Sequence, residues 1–154
     1  AMAPFLVVAL TLLPIQTTAE ELFFRGWLQQ WLDNGKKKQW TIAILGGALF
    51  ALPHLANPEV SGNDLFFPII SYGAVGFMLA WTTFRDKTLE IAIGAHFANN
   101  FLGSILVSTE DSSIPSPSLF TTPDVAWAPA AISAVVIVPI FIWLTGKLSE
   151  KAAV

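Results

Sequence analysis

Glu20, Glu21, Arg25, His54, His96 and Asn100 are polar or ionisable residues set inside long runs of Val, Ile, Leu, Ala and Phe. A charged side chain at the centre of a membrane helix costs about 2.5–3.5 kcal/mol on insertion scales, so each needs a partner, water or a chemical task. Glu21 and Arg25 are four residues apart and share a helix face, where an ion pair neutralises both; the plain reading of that pair is scaffold. Glu20 is rotated from Glu21 by roughly 100° around a helix and points elsewhere, a carboxylate with no local partner. His54 follows Phe50 by four residues, and Pro53 bends or ends the helix between them. Taken alone, His54 is most simply a structural histidine near a helix end. His96 and Asn100 also share a face, and their plain reading is an interhelical hydrogen-bonding pair.

Together these groups could hydrolyse an amide. A carboxylate and an imidazole can activate and orient a water, which suits Glu20 with His54. Side-chain donors can stabilise the oxyanion, which suits His96 with Asn100. Several other mechanisms lack their residues. There is no cysteine for a thiol nucleophile. The two histidines, 42 positions apart in sequence (96 − 54), cannot form HExxH. No GxSxG elbow surrounds a serine, and no aspartate pair lies within a span. Zinc held by Glu20, His54 and His96 stays open at this stage, because two histidines and a glutamate form a known catalytic ligand set. The residues call for no cofactor.

Something must carry these groups to one level. The chain has 154 residues, 54 % hydrophobic and only 12 % charged, against about 25 % charged in ordinary soluble domains. That composition predicts an all-α, multi-pass transmembrane bundle in a single membrane domain over residues 1–154. The formal net charge of −3 offers no basic footprint for nucleic acid. The apolar run Pro4–Ile15 has no Lys or Arg before it and so does not read as a signal peptide. Run length and breakers predict about five membrane helices enclosing a polar cavity. They cover about 3–32, ended by Asp33, Asn34 and Gly35; 39–55; 64–84; 88–107, with Thr88 as N-cap; and 125–148. The Ser, Thr, Pro and acid-rich stretch 108–124 reads as a plain connector.

Charge supports the alternation of these segments. Lys36, Lys37, Lys38, Arg85, Lys87, Lys147 and Lys151 fall at one set of ends, and Glu59, Asp64, Glu110, Asp111 and Asp124 at the other. The positive-inside rule makes the lysine-rich loops cytoplasmic, in the plasma membrane or an internal one. Trp27, Trp31 and Trp40 flank the lysine loop, either as an interfacial belt or as bulk apolar side chains. Measured from the lysine side, Glu20 lies roughly 20 Å deep, His54 roughly 22 Å, Asn100 roughly 18 Å and His96 roughly 12 Å. Acid, imidazole and amide from three helices thus overlap in depth.

Glu20-Glu21-Leu22-Phe23-Phe24-Arg25 resembles the EExxxR motif of the CAAX prenyl protease and bacteriocin-processing family, which includes abortive-infection proteins. Phe50-Ala51-Leu52-Pro53-His54 resembles its FxxxH motif, and His96-Phe97-Ala98-Asn99-Asn100 its HxxxN motif, in the family's order. Full-length members carry further helices ahead of EExxxR, where only one apolar run precedes it here. The resemblance implies a glutamate-dependent intramembrane endopeptidase whose peptide or protein substrate enters from the lipid bilayer. It implies that Glu20 and His54 activate water, that His96 and Asn100 stabilise the oxyanion, and that Glu21 and Arg25 support them. Members have also been described as metal-dependent. The alternative reading is a non-enzymatic immunity factor, or an assembly or scaffold subunit of a larger membrane complex.

Overall fold

The computed structural model describes residues 2–33, 35, 37–62 and 64–152; Asn34 of the expected helix stop and Lys36 lie outside them, as do the side chains of residues 150–152. The five apolar segments each form a helix. The first runs without interruption over Met2–Leu32. It comprises α1 (Met2–Glu21), a π-helical stretch (Leu22–Leu28) and a final turn α2 (Gln29–Leu32). Next come α3 (Gln39–His54), a 3-10 turn (Pro58–Val60), α4 (Phe66–Asp86), α5 (Glu90–Leu106) and α6 (Trp127–Ala152). Among the described residues, three helices are long and apolar enough to cross a membrane: Met2–Leu32, Phe66–Asp86 and Trp127–Ser149. α3 and α5, with 16 and 17 residues, fall short of the roughly 20 residues of a full span. These two short helices carry both histidines.

α4 is the centre of the bundle, packing against α3, α5, α6 and the π-helical stretch. Ile42 and Ala43 of α3 meet Ala80 and Phe84 on one of its faces; Ala92 of α5 and Val138 of α6 meet Met78 and Leu79 on another. α6 and α1 instead leave large apolar side chains outward, among them Val7, Ile15, Ile132, Ile137 and Ile140. In water such faces would be costly, whereas lipid solvates them. Trp27, Trp31 and Trp40 are exposed as well, so they lie on the perimeter and not in the core.

Two sequence expectations are corrected. Thr88 is not the N-cap of α5: Leu89 occupies that position, with no side-chain cap. Nor is 108–124 a plain connector. Val107–Thr109 (β1) pairs in parallel with Phe120–Thr122 (β2), and Ser113 between them bonds to Glu59. At the opposite end of the bundle, Lys37 Nζ donates to the Leu32 carbonyl and so satisfies one of the last acceptors of α2. Arg85 at the end of α4 donates to the Ile142 carbonyl at 2.8 Å and Thr145 Oγ1 at 3.1 Å, tying α4 to α6.

The crossing of α3 and α4 depends on two glycines. A Cβ on Gly47 would lie 2.6 Å from the Gly73 carbonyl oxygen and 2.8 Å from the Phe77 nitrogen. One on Gly76 would lie 2.9 Å from both Gly47 Cα and Phe50 Cβ. Most of these neighbours are backbone and cannot step aside without parting the helices. Gly47→Ala and Gly76→Ala are therefore expected to destabilise the bundle by about 1–3 kcal/mol each, the usual cost of overpacking. Gly94→Ala, where a Cβ meets nothing within 4 Å, should leave the unfolding midpoint in detergent unchanged or higher. Equal midpoints for all three variants would contradict this crossing.

Candidate active site

Every fourth residue from Ala9 to Gln29 is buried: Ala9, Leu13, Thr17, Glu21, Arg25 and Gln29. A regular α-helix could not keep such a row on one face, since four residues at 3.6 per turn overshoot a full turn by about 40° at each step. The π-helical stretch supplies the correction. There the hydrogen bonds span five residues, as from Gln29 N–H to the Phe24 carbonyl. The wider turn undershoots where the α-helix overshoots, which keeps Glu21, Arg25 and Gln29 aimed inward. Two long-range bonds use this alignment. Arg25 Nη2 donates to the Gly76 carbonyl at 2.9 Å, and one turn on, Gln29 Nε2 donates to the Ala80 carbonyl at 3.2 Å.

At the centre, Arg25 Nη1 donates to Glu21 Oε1 at 3.0 Å, the ion pair their spacing suggests. His96 Nδ1 lies 2.7 Å from the same oxygen. All three residues are buried, the Glu21 side chain to 0 % exposure. A carboxylate beside a guanidinium accepts hydrogen bonds, so His96 donates from Nδ1–H and turns Nε2 outward. That Nε2 faces Glu20 Oε2 at 3.8 Å, an electrostatic approach too long for a hydrogen bond. Glu20 Oε1 accepts from Gln16 Nε2. Its side chain keeps 27 % exposure, so the two adjacent glutamates have opposite settings: Glu21 is sealed and Glu20 is accessible.

His54 ends α3. Its Nδ1 lies 2.7 Å from the Phe50 carbonyl, which can only accept, so this nitrogen carries hydrogen and Nε2 is left as the basic edge. Phe50 also stacks against His54, meets the His96 ring edge-on and lies 4.6 Å beneath the Arg25 guanidinium. The phenylalanine of the second motif thus joins both histidines to the ion pair. An open cleft of about 400 Å³ runs along this surface, lined by Glu20, Phe23, Phe24, Pro53, His54 and Asn57. It lies at the end of α3 away from Lys37 and Lys38.

The expected partnerships are rearranged. Glu20 and His54 do share the cleft, but the side chain nearest Glu20 across the bundle is His96. His96 turns to the glutamates and not to Asn100, whose Oδ1 accepts from Asn99 Nδ2 at 3.2 Å, leaving Asn100 its Nδ2–H group to offer. Sequence reasoning missed Gln16, Asn57 and Tyr72, the chain's one tyrosine, whose ring lies 4.8 Å from that of His54. Polarity at helical spacing from Glu20 could have flagged Gln16; no local pattern marks Tyr72. For zinc, no three His, Asp or Glu side chains converge as metal ligands among the described residues.

Glu20, His54 and Asn57 thus line one open cleft of an apolar helical bundle, with His96 buried beside Glu20. The sequence pattern described as type II CAAX prenyl endopeptidase Rce1-like matches residues 2–102, and the chain belongs to that family. It is therefore an integral membrane protein of a protease family. It is 40 % identical over 117 residues to the uncharacterized protein YyaK of Bacillus subtilis (strain 168), an alignment covering 75 % of this chain and 39 % of that protein. The chain thus spans well under half the length of that relative. No solved structure matches.

The Glu21–Arg25–His96 cluster generates a stability prediction. Removing Arg25 strands a buried carboxylate, so Arg25→Met should cost about 3–5 kcal/mol. Arg25→Lys should recover little, because a single ammonium cannot reach Glu21, the Gly76 carbonyl and the Phe50 face at once. Glu21→Gln combined with Arg25→Met should cost less than Arg25→Met alone. Thermal unfolding in detergent reads all three, and a double variant worse than the sum of its parts would contradict the shared burial.

Proposed function

We propose that this chain is a glutamate-dependent intramembrane endopeptidase, with Glu20 as general base. The carrying observation is that Glu20 and His54 line one cleft while Glu21 is sealed behind them by Arg25 and His96. A water between Glu20 and His54 Nε2 gives its proton to Glu20 while the imidazole accepts its second O–H and aims the lone pair. The water oxygen bonds to the peptide carbonyl carbon. Asn100 Nδ2–H donates to the developing oxyanion, joined by His96 Nε2 when that ring carries its second proton. The C–N bond then breaks as Glu20 returns its proton to the leaving amine. Glu21 and Arg25 act by holding His96.

The substrate is a peptide or protein segment entering laterally, because the cleft walls are Phe23, Phe24 and Pro53 and the bundle faces lipid. The ends bearing Lys37, Lys38, Arg85, Lys87 and Lys147 face the cytoplasm by charge asymmetry.

Glu20→Gln tests the mechanism. Purified in detergent and offered a peptide library with and without a prenyl group, the wild type should cleave. The variant should lose about 10²–10⁴-fold in kcat/KM, the usual worth of a general base, at an unchanged unfolding midpoint. Undiminished cleavage by Glu20→Gln overturns the assignment. Biological function retained by the variant, with the chain co-purifying in a larger complex, would replace it with the non-enzymatic reading.

A further inference from the structure

His54 is held from two sides, and only one belongs to its own helix. Phe50 covers one face of the imidazole, with ring centres 4.4 Å apart, and the Nδ1–H bond to the Phe50 carbonyl anchors its edge. Tyr72 of α4 covers it from the other helix, at 4.8 Å and an interplanar angle of 36°. Neither contact alone stops the ring from swinging about its Cβ–Cγ bond. Together with the Nδ1–H bond they restrict rotation of the imidazole.

Tyr72 is itself anchored. Its hydroxyl donates to Glu59 Oε1 at 3.1 Å and accepts from Asn57 Nδ2 at 3.4 Å, and Asn57 also donates to Glu59 Oε1 at 3.1 Å. Glu59 in turn receives Ser113 N–H at 2.9 Å and Ser113 Oγ–H at 3.1 Å from the 108–124 loop. Trp127, opening α6, lies with its ring 5.7 Å from that of Tyr72, tilted by 57°, and donates from Nε1 to the Glu59 carbonyl at 3.4 Å. One residue therefore gathers these elements: the Glu59 carboxylate takes Asn57, the Ser113 loop and the tyrosine that faces His54, and its backbone carbonyl takes the start of α6.

We propose that Tyr72 is a positioning residue for the His54 imidazole, and that Glu59 holds Tyr72 in place by tying its hydroxyl to the Ser113 loop. The consequence for catalysis rests on the proteolytic reading above; the consequence for the ring does not. A ring free to rotate presents Nε2 to the cleft for only part of the time, and misplacement of a catalytic group by about 1 Å can cost as much as 100-fold in rate. Such a loss falls on kcat, since Tyr72 is not among the residues lining the cleft.

The chain's two histidines make a direct test practical. Protein labelled with ¹⁵N only in histidine, in detergent, gives two sets of ring signals, which His96→Gln assigns. In the wild type, His54 should show one neutral form with hydrogen on Nδ1. Tyr72→Ala should replace it by averaged signals of both tautomers while His96 stays unchanged, and should lower kcat about 10- to 100-fold at nearly constant KM. Tyr72→Phe, which keeps the ring, and Glu59→Gln, which weakens only the tie, should give partial averaging and smaller kcat losses. These two variants decide the matter if Tyr72→Ala fails to fold. A His54 spectrum identical to wild type in the folded variants overturns the proposal, whether or not peptide cleavage is found. Averaging without any change in kcat would confirm the positioning and remove His54 from the catalytic mechanism.

Discussion

Glu21 Oε1 accepts from Arg25 and from His96 in a space closed to water and lipid. A single carboxylate in that setting would be expelled, and a guanidinium alone would fare no better. Each is tolerable only because the others are present and correctly aimed. The guanidinium is fully used: one nitrogen on Glu21, another on the Gly76 carbonyl, its face on Phe50. That carbonyl is within reach because Gly47 and Gly76 let α3 and α4 approach closely. The glycine crossing, the widened turn through Leu22–Leu28 and the placement of His96 on a 17-residue helix are three conditions for one buried ion cluster.

This dependence separates the roles of the paired glutamates. In a straight helix Glu20 and Glu21 diverge by roughly 100°, so they cannot both face the same interior. The fold commits Glu21 inward and leaves Glu20 at the cleft, 3.8 Å from His96 Nε2. Both histidines have Nδ1 engaged, one by a carboxylate and one by a carbonyl, so both present Nε2 as the reactive edge. Fixing one nitrogen by a hydrogen bond decides which nitrogen does chemistry.

Much of this was legible in the amino-acid order. Composition and run length reveal the five helices, because a lipid-exposed surface has no cheaper composition than apolar residues. The Glu21–Arg25 pair is visible because four-residue spacing is a local property of helices. The His96–Glu21 contact joins residues 75 positions apart, and no local period reports it. The π-helical turn is equally hidden. Leu22-Phe23-Phe24-Arg25-Gly26-Trp27-Leu28 reads as ordinary helix, and the bonds that go with its extra width, from Arg25 to Gly76 and from Gln29 to Ala80, each join residues 51 positions apart. Local spacing also does not give the direction around each helix that brings His96 Nε2 within 3.8 Å of Glu20.

The outer loop shows the limit from the other side. Its Ser, Thr and Pro content reads as connector because such residues compete with helix and sheet through local hydrogen bonds. Ser112 forms such a bond, its Oγ–H donating to the Ile114 carbonyl, whereas Ser113 spends its N–H and Oγ–H on Glu59, 54 positions away. Polar residues that cannot fill a core can still order a segment when a half-buried carboxylate supplies several acceptor positions in one place. Glu59 is that acceptor, one residue past Pro58, which opens the 3-10 turn between α3 and α4. It orders the outer segment by charge and geometry and not by apolar packing.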